Sequence, residues 1–306
     1  MNAPGLTLPP PLRRGDTVAL LAPASPGTPE RWRAGQRALE HLGYQVVPRD
    51  RLPPESGGFA AGSARARAEE LNRAFSDPNI QGVWCLRGGY TAAQLLPLLD
   101  YEAIARHPKV FVGYSDITCL HTALNQRCGF VTYHGPMAAS DLAEQPHPET
   151  TASLCAALAG ERRFYNPGGG KLRCLRPGTA EGILTGGNLT LVASRLGTPW
   201  ALEPEGKLLF LEDVGEPVAV LERLLTQLRD AGVFREAAGV LLGAFTDCKN
   251  RFWPEYGPLE LCRDFFRDYP KPVLAGLCCG HCRPTGTLPL GRLCRVDAER
   301  GELRYL

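Results

Sequence analysis

An α/β fold with a parallel sheet in its first half is predicted by three observations. From residue 15 to about 140, apolar strand-like runs alternate with stretches of helical periodicity. Two of those strands run straight into glycine, as Arg87-Gly88-Gly89-Tyr90 and as Gly113-Tyr114-Ser115. After the flexible stretch Asn166 to Lys171 the pattern changes to short strands around one clear helix, which predicts a mixed β-rich domain.

Thr17 to Ala22 reads as a buried first strand because Gly15-Asp16 and Pro23 bound a short apolar run. Tyr44 to Val47, Gly82 to Leu86 and Val110 to Gly113 supply three more strands. Between them Pro29 to Leu42, Ala64 to Phe75 and Ala92 to Ile104 repeat apolar residues at helical spacing. The second half offers strands at Ala180 to Leu184, Lys207 to Leu211, Gly239 to Gly243, Pro272 to Ala275, Leu293 to Val296 and Leu303 to Leu306, with a helix over Pro217 to Ala231. The predicted division is a domain over 1–165, a linker over 166–179 and a domain over 180–306.

Length and composition fit this division. The 306 residues suffice for two cores, and 44% hydrophobic with 22% charged residues describes a soluble globular chain. The net charge of +2 comes from 34 basic and 32 acidic residues spread through the sequence, so no basic face predicts a nucleic-acid or anionic-membrane partner. A small ligand fits better. Eleven cysteines, an odd number set mostly in apolar runs, read as free buried thiols and point to a reducing cytoplasm. Asp16 and the prolines at 9, 10 and 11 argue against a signal peptide at Arg13-Arg14, and no run nears the roughly 20 apolar residues that a membrane span needs.

Lys109 to Asp116 carries the chemistry. An apolar strand enters a Gly-x-Ser turn and continues at Ile117 as a helix, the geometry that lifts a serine hydroxyl off a sheet edge and aims the next backbone N–H at an incoming carbonyl. The competing reading makes Ser115 a helix cap. Ile117 stands where the α/β-hydrolase pattern has its second glycine, which disfavours that superfamily.

A serine nucleophile needs a base and an acid that orients it. His41 and His107 lie at helix ends, His147 between prolines, and His121 on the helix after Ser115. His134 and His281 remain, since each leaves a strand beside glycine. Glu212 and Asp213 end the apolar strand Lys207 to Leu211; either one orients the base or caps the helix that follows. A metal site on Cys279, His281 and Cys282 is a further alternative, weakened by the lack of a second matched ligand pair.

Taken together, RGGY at 87–90, GYSD at 113–116, Tyr133-His134-Gly135-Pro136-Met137, GGNL at 186–189, LFLEDV at 209–214 and GLCCGH at 276–281 resemble the LD-carboxypeptidase family of serine peptidases over nearly the whole chain. The resemblance implies a Rossmann-like, glutamine-amidotransferase-like N-terminal domain with a smaller β-rich α+β C-terminal domain. It implies Ser115 as nucleophile, His281 as base and Glu212 as the acid orienting it, with the N–H groups of Gly89 and Asp116 as oxyanion hole. It further implies a cytoplasmic homodimer, without cofactor or metal, that releases D-alanine from murein tetrapeptide. Arg87 and Asn188 are the expected partners of the substrate carboxylate, with Gly88 and Tyr90 of the same turn; the alternative for Arg87 is a structural ion pair. Two rivals stay open. One is a self-immunity peptidase of the microcin C type acting on a peptide-nucleotide, with Trp253 and Tyr256 as a possible stacking platform; the other is a non-catalytic anion or peptide-binding module.

Overall fold

The computed structural model describes residues 5–47, 57–143 and 145–306. In chain order its first part holds β1 (Thr17–Leu21), α1 (Pro29–His41), β2 (Gln45–Val46), α2 (Ala64–Ser76), β3 (Gly82–Cys85), α3 (Tyr101–Arg106), β4 (Val110–Gly113), α4 (Thr118–Cys128), β5 (Thr132–His134) and α5 (Pro148–Leu158). Then follow β6 (Arg173–Arg176), β7 (Thr179–Asn188), α6 (Leu189–Ser194), β8 (Leu208–Val214), α7 (Val218–Asp230), α8 (Val233–Glu236), β9 (Gly239–Thr246), α9 (Pro258–Phe265) and β10 (Val273–Ala275). The chain ends in β11 (Leu288–Leu290), β12 (Leu293–Asp297) and β13 (Glu302–Tyr305).

The first sheet runs β11-β5-β4-β3-β1-β2, parallel except for β11. At its centre β3 and β4 are buried on both faces, which is why they read as continuous apolar runs. One face carries α2 and α4 over Leu71, Phe75, Phe111 and Leu120; the other carries α1 and α5 over Trp32, Trp84, Leu86 and Leu154. Local signals start and stop the helices. Thr28 and Ser63 cap α1 and α2 by accepting from Arg31 N and Ala66 N, and Gly129 ends α4 in the left-handed region at φ +72°.

The second sheet runs β13-β12-β7-β8-β9-β10-β6 and is mixed. Its centre, β7 to β10, is parallel, while β12, β13 and β6 pair antiparallel. Leu209, Leu211, Leu225 and Phe266 bury one face under α7 and α9; Phe210, Leu241, Leu288 and Tyr305 close the other.

Several elements differ from expectation. The helix expected over Ala92 to Ile104 is a 3-10 segment, Ala92–Leu98, followed by α3, because Pro97 cannot donate an intrahelical bond. The second half holds α6, α8 and α9 besides α7. The stretch 166–179 contains β6, whose exposed Arg173 and Cys174 conceal its pairing with β10. β8 and β9 run on past Leu211 and Gly243, so Glu212 lies within its strand and not after it. Among the thiols, all free, Cys155 and Cys174 are exposed rather than buried.

Candidate active site

Ser115 leaves β4 with φ +66°, a left-handed conformation costly for a residue with a side chain. That turn stands its hydroxyl above the strand ends. Ser115 Oγ bonds no helix N–H; its partner is His281 Nε2 at 3.0 Å. His281 Nδ1–H donates to Glu212 Oε2 at 2.9 Å, and the His281 backbone N–H reaches the same oxygen at 3.3 Å. Serine, histidine and glutamate therefore stand in one hydrogen-bonded series.

Three elements set this geometry. β8 shifts register against β9 between Leu211 and Asp213, and such a bulge re-aims the side chain it carries. Glu212 sits at that shift, fully buried, as the Cα partner of Asn188 on β7. Gly280, at φ +103°, lets the chain pass over the carboxylate, since a Cβ there would collide with Glu212. Gly88 does the same for the nucleophile: a Cβ on it would lie 2.9 Å from Ser115 Cβ and 3.6 Å from Asp116 N.

The other histidines have separate tasks. His121 Nε2–H donates to Gly113 O and Nδ1 accepts from Thr132 Oγ1, and burial lowers its pKa to about 4. His134 is packed between Tyr114 and Phe210, and burial drives its pKa well below the usual value. Among the described residues its ring nitrogens have no hydrogen-bond partner. His41 and His107 are exposed, and His147 caps α5 by accepting from Glu149 N.

Asp213 caps α6, not α7. It accepts from Thr190 N at 3.0 Å, Thr190 Oγ1 at 2.8 Å and Asn188 Nδ2 at 2.9 Å. Asn188 Oδ1 accepts from Leu191 N, so its buried amide is engaged at the start of α6. Arg87 is half-buried and among the described residues makes no ion pair; it reaches only Pro26 O, at 3.5 Å. Tyr90 is 82% exposed. The N–H groups of Gly89 and Asp116 have no acceptor among the described residues. The Asp116 carboxylate turns the other way and accepts from Ala92 N at 2.8 Å, near the buried Arg67.

Electrostatics make His281 a stronger base. Burial alone would lower the His281 pKa, but the hydrogen bond and charge of Glu212, with Asp213 and Asp141 behind, hold it above 6.5. Burial pushes the Glu212 carboxyl up, and the bonds from His281 pull it back. Two residues that sequence reasoning gave no role complete the surroundings. The Tyr114 ring meets His281 edge-on, and its hydroxyl donates to Asp141 Oδ1 at 3.2 Å. Burial raises Asp141 to about 6 against the bond from Met137 N. Tyr114 was readable as part of GYSD; Asp141, in an irregular stretch, carried no signal.

Both ring nitrogens of His281 are taken by Ser115 and Glu212, leaving none for a metal shared with Cys279 and Cys282. Among the described residues no group of three histidine, cysteine or acidic side chains could hold a metal ion, and no helix is long and apolar enough to cross a membrane.

A serine just past a strand end, engaged by a histidine and a buried glutamate in a two-sheet α/β frame, defines a serine hydrolase. The chain belongs to the LD-carboxypeptidase family: residues 18–135 match the LD-carboxypeptidase N-terminal domain and residues 181–296 the C-terminal domain. It is 39% identical to the Bacillus subtilis (strain 168) protein named "Probable murein peptide carboxypeptidase", across 92% of this chain and 88% of that one. It is 40% identical to the murein tetrapeptide carboxypeptidase of Pseudomonas aeruginosa, across 76% and 78%. The solved structure of MccF in complex with glutamyl sulfamoyl guanosine superposes with a TM-score of 0.85 at 26% identity, covering 99% of this chain and 98% of that one. The chain is thus a serine-type LD-carboxypeptidase, which displaces the non-catalytic binding reading.

Proposed function

We propose that the protein hydrolyses the L,D-peptide bond that releases terminal D-alanine from murein tetrapeptide, in the cytoplasm and in peptidoglycan recycling. The observation that carries this is the series Ser115–His281–Glu212, already in hydrogen-bond contact. Ser115 attacks the amide carbonyl while His281 Nε2 takes its proton. Glu212 holds the Nδ1 tautomer and balances the imidazolium that forms. The N–H groups of Gly89 and Asp116 receive the oxyanion, each such donor contributing about 3 kcal/mol in the transition state. His281 then returns the proton to the leaving amine, and water, activated by the same base, hydrolyses the acyl-enzyme. Arg87, free of ion pairs among the described residues, holds the terminal carboxylate.

The test is D-alanine release from purified tetrapeptide, followed by mass spectrometry, by wild type and Ser115→Ala. Release that vanishes in the variant supports the reading; a folded wild type that releases nothing overturns it.

A second reading, cleavage of a peptide-nucleotide, is favoured by Trp253. It is 60% exposed and stacked on Tyr256 at 5.5 Å and 20°, a flat apolar face of the kind a nucleobase covers. Turnover of an aminoacyl sulfamoyl nucleoside that is lost in Trp253→Ala would favour it over the tetrapeptide.

A further inference from the structure

A cavity of about 610 Å³ opens beside the candidate active site, between α1, the turn of Ala138–Leu142 and the segment that follows His281. Its size falls in the range of clefts that hold whole ligands, about 300–1,000 Å³. Its wall includes Cys282 and Arg283, the two residues after the base, and Asp141, which bonds the Tyr114 that packs on His281.

The lining is cationic. Arg31 and Arg37 project from α1, about one and two-thirds helical turns apart, and Arg283 lies on the wall that follows His281. Among the described residues none of the three is in a salt bridge; Arg283 acts on the Asp141 carboxyl through its charge and makes one bond, to Gln145 O. The two acids on the wall are engaged elsewhere: Glu30 pairs with Arg33 at 3.9 Å, and both Asp141 oxygens accept hydrogen bonds, from Tyr114 and Met137. Three exposed arginines outside any salt bridge among the described residues, gathered around a concavity whose two acids have other partners, make a site for carboxylate or phosphate. The wall is tied to the strand that leads to Arg87, since Leu86 O accepts from Ala139 N.

We propose that this cavity is a second anion subsite, in which Arg31 and Arg283 bind a carboxylate of the peptide substrate other than the terminal one. The inference rests on the peptidase reading for its substrate but on the cavity for its chemistry. It makes the protein selective for peptides that carry several carboxylates. Arg31 and Arg283 act on binding, so their loss raises KM and leaves kcat in place.

The experiment compares the tetrapeptide with an otherwise identical peptide whose non-terminal carboxylates are carboxamides. Wild type should show a KM about tenfold lower for the acid form, a discrimination of the size one charge-assisted contact supplies. In Arg31→Gln/Arg283→Gln that difference should vanish with kcat within twofold. A difference that persists in the double variant overturns the proposal. If wild type cleaves neither peptide, the peptidase reading fails while the subsite is still decided by inorganic phosphate as probe. Phosphate should raise the melting temperature of wild type and not of the double variant; equal shifts overturn the subsite.

Discussion

The Tyr114 ring stands edge-on to the His281 imidazole, with centroids 4.9 Å apart and planes at 69°. Tyr114 also precedes Ser115 in the chain, so one residue sets the backbone of the nucleophile and one wall of the base. Its hydroxyl is fixed by Asp141, and the carboxylate charge of Asp141 also acts on His281 directly, raising its pKa.

Asp141→Asn should therefore move the acidic limb of the kcat/KM profile to lower pH, because a negative charge that favours the imidazolium is gone. Asp141 also carries a stability term. Its folded pKa, about 6, exceeds the ordinary 3.8, so the native form holds this proton more tightly and the contribution grows as pH falls from about 6 toward 3.8. Melting temperature measured from pH 4 to 7 should show a flatter dependence in Asp141→Asn; an unchanged kinetic limb would refute the coupling to His281.

Glu212→Gln should cost kcat by about 10³–10⁴-fold, since the amide cannot hold the required tautomer or offset the imidazolium charge. The sign for His281 follows from its raised pKa. The imidazolium favours the native state below the unfolded value of 6.5, and that contribution is lost as pH rises through the folded pKa, while activity, which needs the neutral ring, rises over the same interval. In wild type the acidic limb should lie above pH 6.5. A limb at or below 6.5 contradicts this.

Gly280→Ala should lower both stability and kcat. The left-handed backbone costs about 1–3 kcal/mol for a residue with a Cβ, and the added methyl collides with Glu212. Thermal unfolding and turnover measured together check it; a variant with wild-type values of both would show that the loop has room.

Arg87→Met should raise KM for substrates with a free terminal carboxylate by about tenfold, with little change in melting temperature, because the guanidinium has no ion pair to lose among the described residues. An unchanged KM sinks its role at the carboxylate.

Much of the site was legible because its residues sit where strands end. Ser115 follows a four-residue apolar strand, and His281 sits in a short loop after another, so period and punctuation find both. What stayed hidden depends on contacts remote in sequence. Asp141 gains meaning only when the Ala138–Leu142 turn folds against Tyr114, 27 residues away. The strand Leu288–Leu290 is too short to announce itself, and β6 shows arginine where a buried strand would show valine. Pro97 was the local cue that the helix over Ala92 to Ile104 breaks, and the apolar periodicity outweighed it.

β10, in the second sheet, and β11, in the first, bracket His281 in the chain. The base is carried on a strap fastened at both ends, each to a different sheet. Leu288, Pro289 and Leu290 zip antiparallel onto His134, Tyr133 and Thr132, beside the strand that delivers Ser115. The strap ties the base to the sheet that delivers the nucleophile, so strand pairing sets their alignment in the folded chain. Neither half is a transferable module: a first half produced alone would lack both its base and the last strand of its own sheet.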